Sequence, residues 1–257
     1  MWCGTGPVVV FVPGFTGSKE DFLPLLPRVA ARGLRAVAYD QRGQFESPHT
    51  TAPYDLRLFA DDLRAVVRSQ ADSAGAVHLV GHSFGGLVCS EVALDAAGDV
   101  ASLTLMSTGP GALPPERHAM LEALISIVPH ATPEQIWAAK LEFDRQAGAP
   151  PLPADVAEFL ERRWVASDPR SMAAIASILL TAADPTDRLR RVIGPDLPAQ
   201  VMYGTSDTTA WRIPDIADMA TRLGVTAVPI DAAHSPAVEN PEATADALSR
   251  FIGPHDV

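Results

Sequence analysis

Cysteine is nearly missing from this chain: Cys3 and Cys89 are its two thiols in 257 residues. So few, so far apart, make neither a disulfide framework nor a metal-ligand spacing, and both are expected free in a reducing compartment. Basic residues are scarce as well. There are 20 Lys and Arg against 31 Asp and Glu, a formal net charge of −11. That balance argues against nucleic acid or an anionic membrane surface as a partner, since both need clustered positive charge, and reads first as solubility. No run approaches the roughly 18 apolar residues of a membrane span. The start, Met1-Trp2-Cys3-Gly4, has neither the basic region nor the apolar stretch of a secretory leader. A cytoplasmic protein is expected, as a monomer or homodimer, with a small molecule as its partner.

What is present is a rhythm. Apolar residues make up 47% of the chain, enough for a sizeable core. Val8 to Val12 is a continuous apolar run ended by Pro13-Gly14, as in a strand buried on both faces. Ser18-x-x-Asp21 resembles a capping box and predicts a helix to about Arg32, closed by Gly33. Strands are expected at Leu34 to Tyr39, Val77 to Val80 and Val100 to Met106. Between them, Leu56, Phe59, Leu63, Val66 and Val67 share one helical face, and a second helix runs from near Leu87 to about Ala97. Alternating strands and helices with short turns call for a mostly parallel sheet with helices on both faces.

From Gly109 to about Pro195 the rhythm breaks. Helical patterns follow one another, jointed by prolines such as Pro114-Pro115, Pro133, Pro150-Pro151 and Pro169. Residues 109–195 are read as a helical insert over the sheet's edge, with residues 1–108 and 196–257 forming one α/β core. The alternation then resumes: strand Ala199 to Tyr203, helix Ile213 to Leu223, strand Val225 to Ile230, and a last helix to Phe251 with Asn240 as N-cap and Pro241 first.

The chemistry centres on Gly81-His82-Ser83-Phe84-Gly85-Gly86, between a strand and a helix. A serine hydroxyl is a poor nucleophile until a sharp turn exposes it and a base takes its proton; G-x-S-x-G supplies the turn. In an open α/β sheet, reactive groups gather at the carboxyl ends of strands. Of the seven histidines, His82 and His234 follow strands. His82 adjoins Ser83 and points elsewhere on a tight turn, so it reads as a packing residue; His234 is the candidate base. Asp207, just past the strand ending near Tyr203, is the candidate carboxylate, with Asp231, Asp184, Asp187 and Asp215 as rivals. The oxyanion of an acyl-transfer step needs two preorganised donors. The backbone N–H of Phe84 is one candidate, and that of Phe15, in the loop Pro13-Gly14-Phe15-Thr16-Gly17, is the other.

Taken together these stretches resemble the α/β-hydrolase fold with an inserted helical cap. The matching segments are Val12-Pro13-Gly14-Phe15, Asp40-Gln41-Arg42-Gly43, the Ser83 turn, Gly204-x-x-Asp207 and His234-Ser235-Pro236 with Glu239-Asn240-Pro241-Glu242. The resemblance implies a nucleophile elbow with Ser83, Asp207 and His234 as catalytic triad, an oxyanion hole at Phe15 and Phe84, and no cofactor or metal. It also implies a serine esterase or lactonase, with C–C bond hydrolases, cofactor-free haloperoxidases, lyases and small-molecule receptors on the same fold as alternatives. Three departures stand out: Pro13 where the family usually has histidine, Phe45 in place of the second glycine of D-x-R-G-x-G-x-S, and only seven residues before the first strand. The last predicts about six core strands, and Phe45 is expected to reach toward the pocket.

Aromatic residues are few, 6% of the chain. Phe15, Phe84, Trp137, Phe143, Phe159, Trp164 and Trp211 are candidates for lining a cavity, Phe15, Phe84, Trp137 and Trp164 foremost. Such a lining suits an uncharged, fairly apolar ester, lactone or thioester. Arg162-Arg163 reads as a solvated helix face.

Overall fold

A computed structural model of the chain describes residues 1–95, 98–146, 148 and 151–253, the side chains of 72–74 excepted. Among the described residues, seven strands form one sheet: β1 Trp2–Cys3, β2 Val8–Val12, β3 Arg35–Ala38, β4 Val77–His82, β5 Val100–Met106, β6 Ala199–Gly204 and β7 Thr226–Ile230. Their order is β1-β3-β2-β4-β5-β6-β7, with every pairing parallel except β1 on β3. The seventh strand, against the expectation of about six, is β1. Its two residues pair Trp2 with Val37 and Cys3 with Ala36. So short an edge strand has no sequence period to announce it.

Eleven α-helices are described: α1 Leu26–Ala30, α2 Leu56–Ala74, α3 Phe84–Asp95, α4 His118–Ile127, α5 Pro133–Gln146, α6 Ala154–Ala166, α7 Pro169–Thr181, α8 Thr186–Val192, α9 Ile213–Leu223, α10 Pro236–Glu239 and α11 Pro241–Ile252. None is long and apolar enough to cross a membrane. The expected helix from Ser18 to Arg32 is two pieces, a 3-10 turn Lys19–Phe22 and α1. The Ser18–Asp21 capping box is present, but Pro24 and Pro27 follow within one helical length and interrupt the backbone ladder. The helix after Ser83 is described to Asp95; its expected end at Ala97 lies outside the described residues, as does Pro150.

Alternation along β2 shows why a continuous apolar run suits this position. Val8, Val10 and Val12 face one core with Phe59 and Leu63 of α2 and Val88 and Val92 of α3; Val9 and Phe11 face another with Leu26 and Val29 of α1 and Leu248 of α11. Both faces are covered, so both must be apolar. Cys89, on α3, is wholly buried in the first of these cores, and burial pushes its thiol well up; Cys3 is half-buried. Between β5 and β6 the described residues form helices and no named strand. Ile136 and Trp137 of α5, Trp164 of α6 and Met172 of α7 make a small separate cluster there.

Candidate active site

Ser83 sits where β4 turns into α3, in the left-handed region at φ 53°. An L-residue reaches that region at a cost, and the crowding around the turn maintains it. A Cβ on Gly81 would lie 2.4 Å from the Gly85 carbonyl oxygen, one on Gly85 2.3 Å from that of Val12, and one on Gly86 2.4 Å from Thr108 Cγ2. Each glycine of the motif is therefore required by a close approach. Ser83 itself is 6% exposed.

Three side chains distant in sequence meet at the carboxyl ends of β4, β6 and β7. Ser83 Oγ lies 3.1 Å from His234 Nε2, and His234 Nδ1 lies 2.7 Å from Asp207 Oδ2. The other carboxylate oxygen, Oδ1, accepts from both the backbone N–H and the hydroxyl of Thr209 at 2.9 Å. Burial pushes the Asp207 carboxyl up, but the His234 hydrogen bond and charge and the two Thr209 bonds outweigh it and hold it below its ordinary value. The rivals lie elsewhere in other pairings: Asp184 and Asp187 with Arg222, Asp215 with Arg212, and Asp231 exposed.

The segment carrying His234 is held at several points. Gly204 admits it, since a Cβ there would fall 1.7 Å from the Ala233 carbonyl oxygen. The Glu239 carboxylate accepts from the N–H groups of Ala233 at 2.6 Å and Ser235 at 2.9 Å, one on each side of His234. The His234 carbonyl accepts from His82 Nε2 at 2.8 Å. His82 thus does pack, as expected, but against the histidine itself. Glu239 had no role assigned from sequence, because four intervening residues gave no sign that the chain doubles back.

Phe15 and Phe84 differ in their side chains. The N–H of neither has a hydrogen-bond partner among the described residues. Phe84 opens α3 with its ring wholly buried, edge-on to Phe59 at 5.2 Å. The expectation that its side chain lines a pocket is corrected: the first turn of α3 aims the ring into the core, and only its backbone remains toward Ser83. Phe15 is half-buried and packs against the cluster holding Trp137 and Trp164. Those two indoles lie 5.6 Å apart, both buried, and neither N–H has a partner among the described residues. Trp211 is a core residue, donating to the Gly111 and Ala112 carbonyls, and Phe143 is exposed.

The turn that departs from the usual pattern is also accounted for. Phe45 has φ 38°, the conformation a glycine would take without strain. Its ring meets Phe159 of α6 edge-on at 5.8 Å, with Lys19 and Arg162 over its face, so it braces α6. Arg163 is not a solvated residue; its guanidinium pairs with Asp21 and its side chain is 12% exposed. Gln41 and Gln44, in the same turn, are buried and donate to the carbonyls of Pro13 and Gly14.

A sequence profile described as Alpha/beta hydrolase family matches residues 9–247. RutD of Variovorax paradoxus is 38% identical over 103 residues, 40% of this chain and 38% of that protein, so the match spans well under half of that relative. A non-heme haloperoxidase of Rhodococcus erythropolis is 28% identical over 214 residues, 79% of this chain and 76% of that protein. Among solved structures, a thermophilic esterase from Thermogutta terrifontis superposes with a TM-score of 0.78 over 98% of this chain and 91% of its own, at 23% identity, a likeness of fold.

Proposed function

Because the chain belongs to the Alpha/beta hydrolase family, we propose that it is a serine hydrolase cleaving a carboxylic ester, lactone or thioester of a small, fairly apolar substrate through an acyl-enzyme. The observation that carries this reading is the continuous chain Ser83 Oγ–His234–Asp207, at 3.1 and 2.7 Å. The nucleophile, general base and orienting carboxylate are all within hydrogen-bond reach.

The steps follow from the geometry. Asp207 accepts from Nδ1–H of His234, leaving Nε2 as the basic nitrogen. Nε2 takes the Ser83 proton as Oγ attacks the carbonyl carbon. The N–H groups of Phe15 and Phe84 receive the oxyanion. Collapse expels the alcohol or thiol, protonated by Nε2–H. His234 then takes a proton from water, hydroxide adds to the acyl carbon, and the acid leaves as Ser83 regains its proton. The helices of residues 109–195 serve as a cap, with Phe15, Trp137 and Trp164 on its apolar side.

Hydrolysis of p-nitrophenyl esters by wild type and Ser83→Ala tests this. Loss of the nucleophile is expected to cost on the order of 10³–10⁶ in turnover; equal rates would end the reading.

The Rhodococcus relative, aligned over most of both chains, favours a second reading in which hydrogen peroxide replaces water in the deacylation step and a peracid is released. Bromide oxidation in acetate and peroxide, absent in Ser83→Ala, would distinguish it.

A further inference from the structure

We infer that Gln44 is a positioning residue for the oxyanion site: its side-chain amide fixes the peptide plane whose N–H, that of Phe15, receives the developing charge. The inference rests on the proposed role of Ser83.

Gly14 C=O and Phe15 N–H are two ends of one planar peptide unit. No cis peptide bond occurs among the described residues, so these ends point in opposite directions. The carbonyl end is held by two donors, Gln44 Nε2 at 2.8 Å and the Gly17 N–H at 3.2 Å. The N–H end has no partner among the described residues. Holding one end of a rigid plane sets the direction of the other. A hydrogen bond to the carbonyl also polarises the unit and makes its N–H a stronger donor.

Gln44 is itself held. Its Oε1 accepts from the Gln41 N–H at 3.3 Å, which settles which end of the amide faces Gly14. It is 3% exposed, so water does not compete for these bonds. Gln41 clamps the preceding unit in the same manner, Nε2 donating to the Pro13 carbonyl at 2.8 Å. The clamped chain runs alongside the nucleophile: a Cβ on Gly14 would lie 3.0 Å from Ser83 Cβ. Two buried glutamines on consecutive carbonyls of one loop, each carbonyl one bond from a proposed donor or its neighbour, are more than turn-building requires.

A fluorophosphonate probe on the full-length protein tests this, because it places negative oxygen in the same donor site as it modifies an activated serine. Labelling of Ser83 is followed in wild type, Gln44→Met and Gln44→Glu, each checked for folding by circular dichroism and thermal melting. At pH 8 both variants lose the donor to Gly14, and labelling is expected to slow about 10-fold or more, part of the ~10²–10³-fold that an entire oxyanion donor supplies. Gln44→Glu carries its own control. A protonated carboxyl donates to the Gly14 carbonyl as the amide does, so its rate relative to wild type at the same pH rises from pH 8 to 5.5, while that of Gln44→Met stays flat. A purely structural role would give no such divergence. Wild-type rates at pH 8 in either folded variant would overturn the inference. Should the methionine variant not fold, a flat ratio for the equally sized Gln44→Glu would overturn it alone. A wild-type protein unlabelled at Ser83 would instead overturn the reading of the nucleophile.

Discussion

His82 donates from Nε2 to the main-chain carbonyl of His234 at 2.8 Å, with the two imidazole rings 5.0 Å apart. The donor role requires a proton on His82 Nε2, and the neutral ring suffices for it. Burial first, and the neighbouring His234 second, push His82 down to about 4. His82 therefore stays uncharged beside His234 through the neutral range.

A stability profile follows. Unfolded, His82 takes up a proton near its ordinary 6.5; folded, only near 4. Between those values the unfolded chain binds more protons, so stability falls as pH falls. Asp207, held below the ordinary carboxylate range, adds a loss of the same sign at lower pH. The thermal midpoint of wild type is expected to drop between pH 6.5 and 4. His82→Gln, which has a donor but no titrating nitrogen, should drop less across that window. Melting curves at each pH check this, and parallel profiles would refute it.

Asp207→Asn should slow turnover by on the order of 10³–10⁴-fold with KM little changed. The position of Oδ1 receives two donors from Thr209, so the new amide oxygen takes that side and its NH₂ faces His234. His234 Nδ1 must then accept, and the ring proton moves to Nε2, where the serine needs a lone pair. Steady-state kinetics measure the effect; an Asn variant with wild-type kcat would contradict it.

Gly85→Ala is expected to destabilise by about 1–3 kcal/mol, the range for overpacking. The added carbon would meet the Val12 carbonyl oxygen at 2.3 Å and that of Pro13 at 2.7 Å. Both obstacles are backbone, so neither can rotate away. Denaturant midpoints at constant slope report the change; an unshifted midpoint would mean that the turn has slack the distances deny.

Much of this was legible because it is local. Val100–Met106 and Ile213–Leu223 end where their patterns end, and Asn240 caps α11 by accepting from the Ala243 N–H. Ser83, His234 and Asp207 could be chosen because strand ends are the places a parallel sheet leaves open. What escaped is long-range. Gln44 holds a carbonyl 30 positions away, and Arg163 reaches Asp21 across 142. Nothing in the periodicity near Gln44 distinguishes a buried amide from a solvated one. Phe84 misled for another reason: its place beside Ser83 is a property of its backbone, while its ring belongs to the core.

The two sulfurs are not equivalent toward reagents. Thiolate is the reactive form, and Cys89, wholly enclosed with its ionisation suppressed, is withheld from alkylation while the protein stays folded. Cys3 lies on the rim strand, with β3 and β2 between it and β4, the strand that leads into Ser83. Maleimide chemistry on the native protein is therefore expected at Cys3 and not at Cys89.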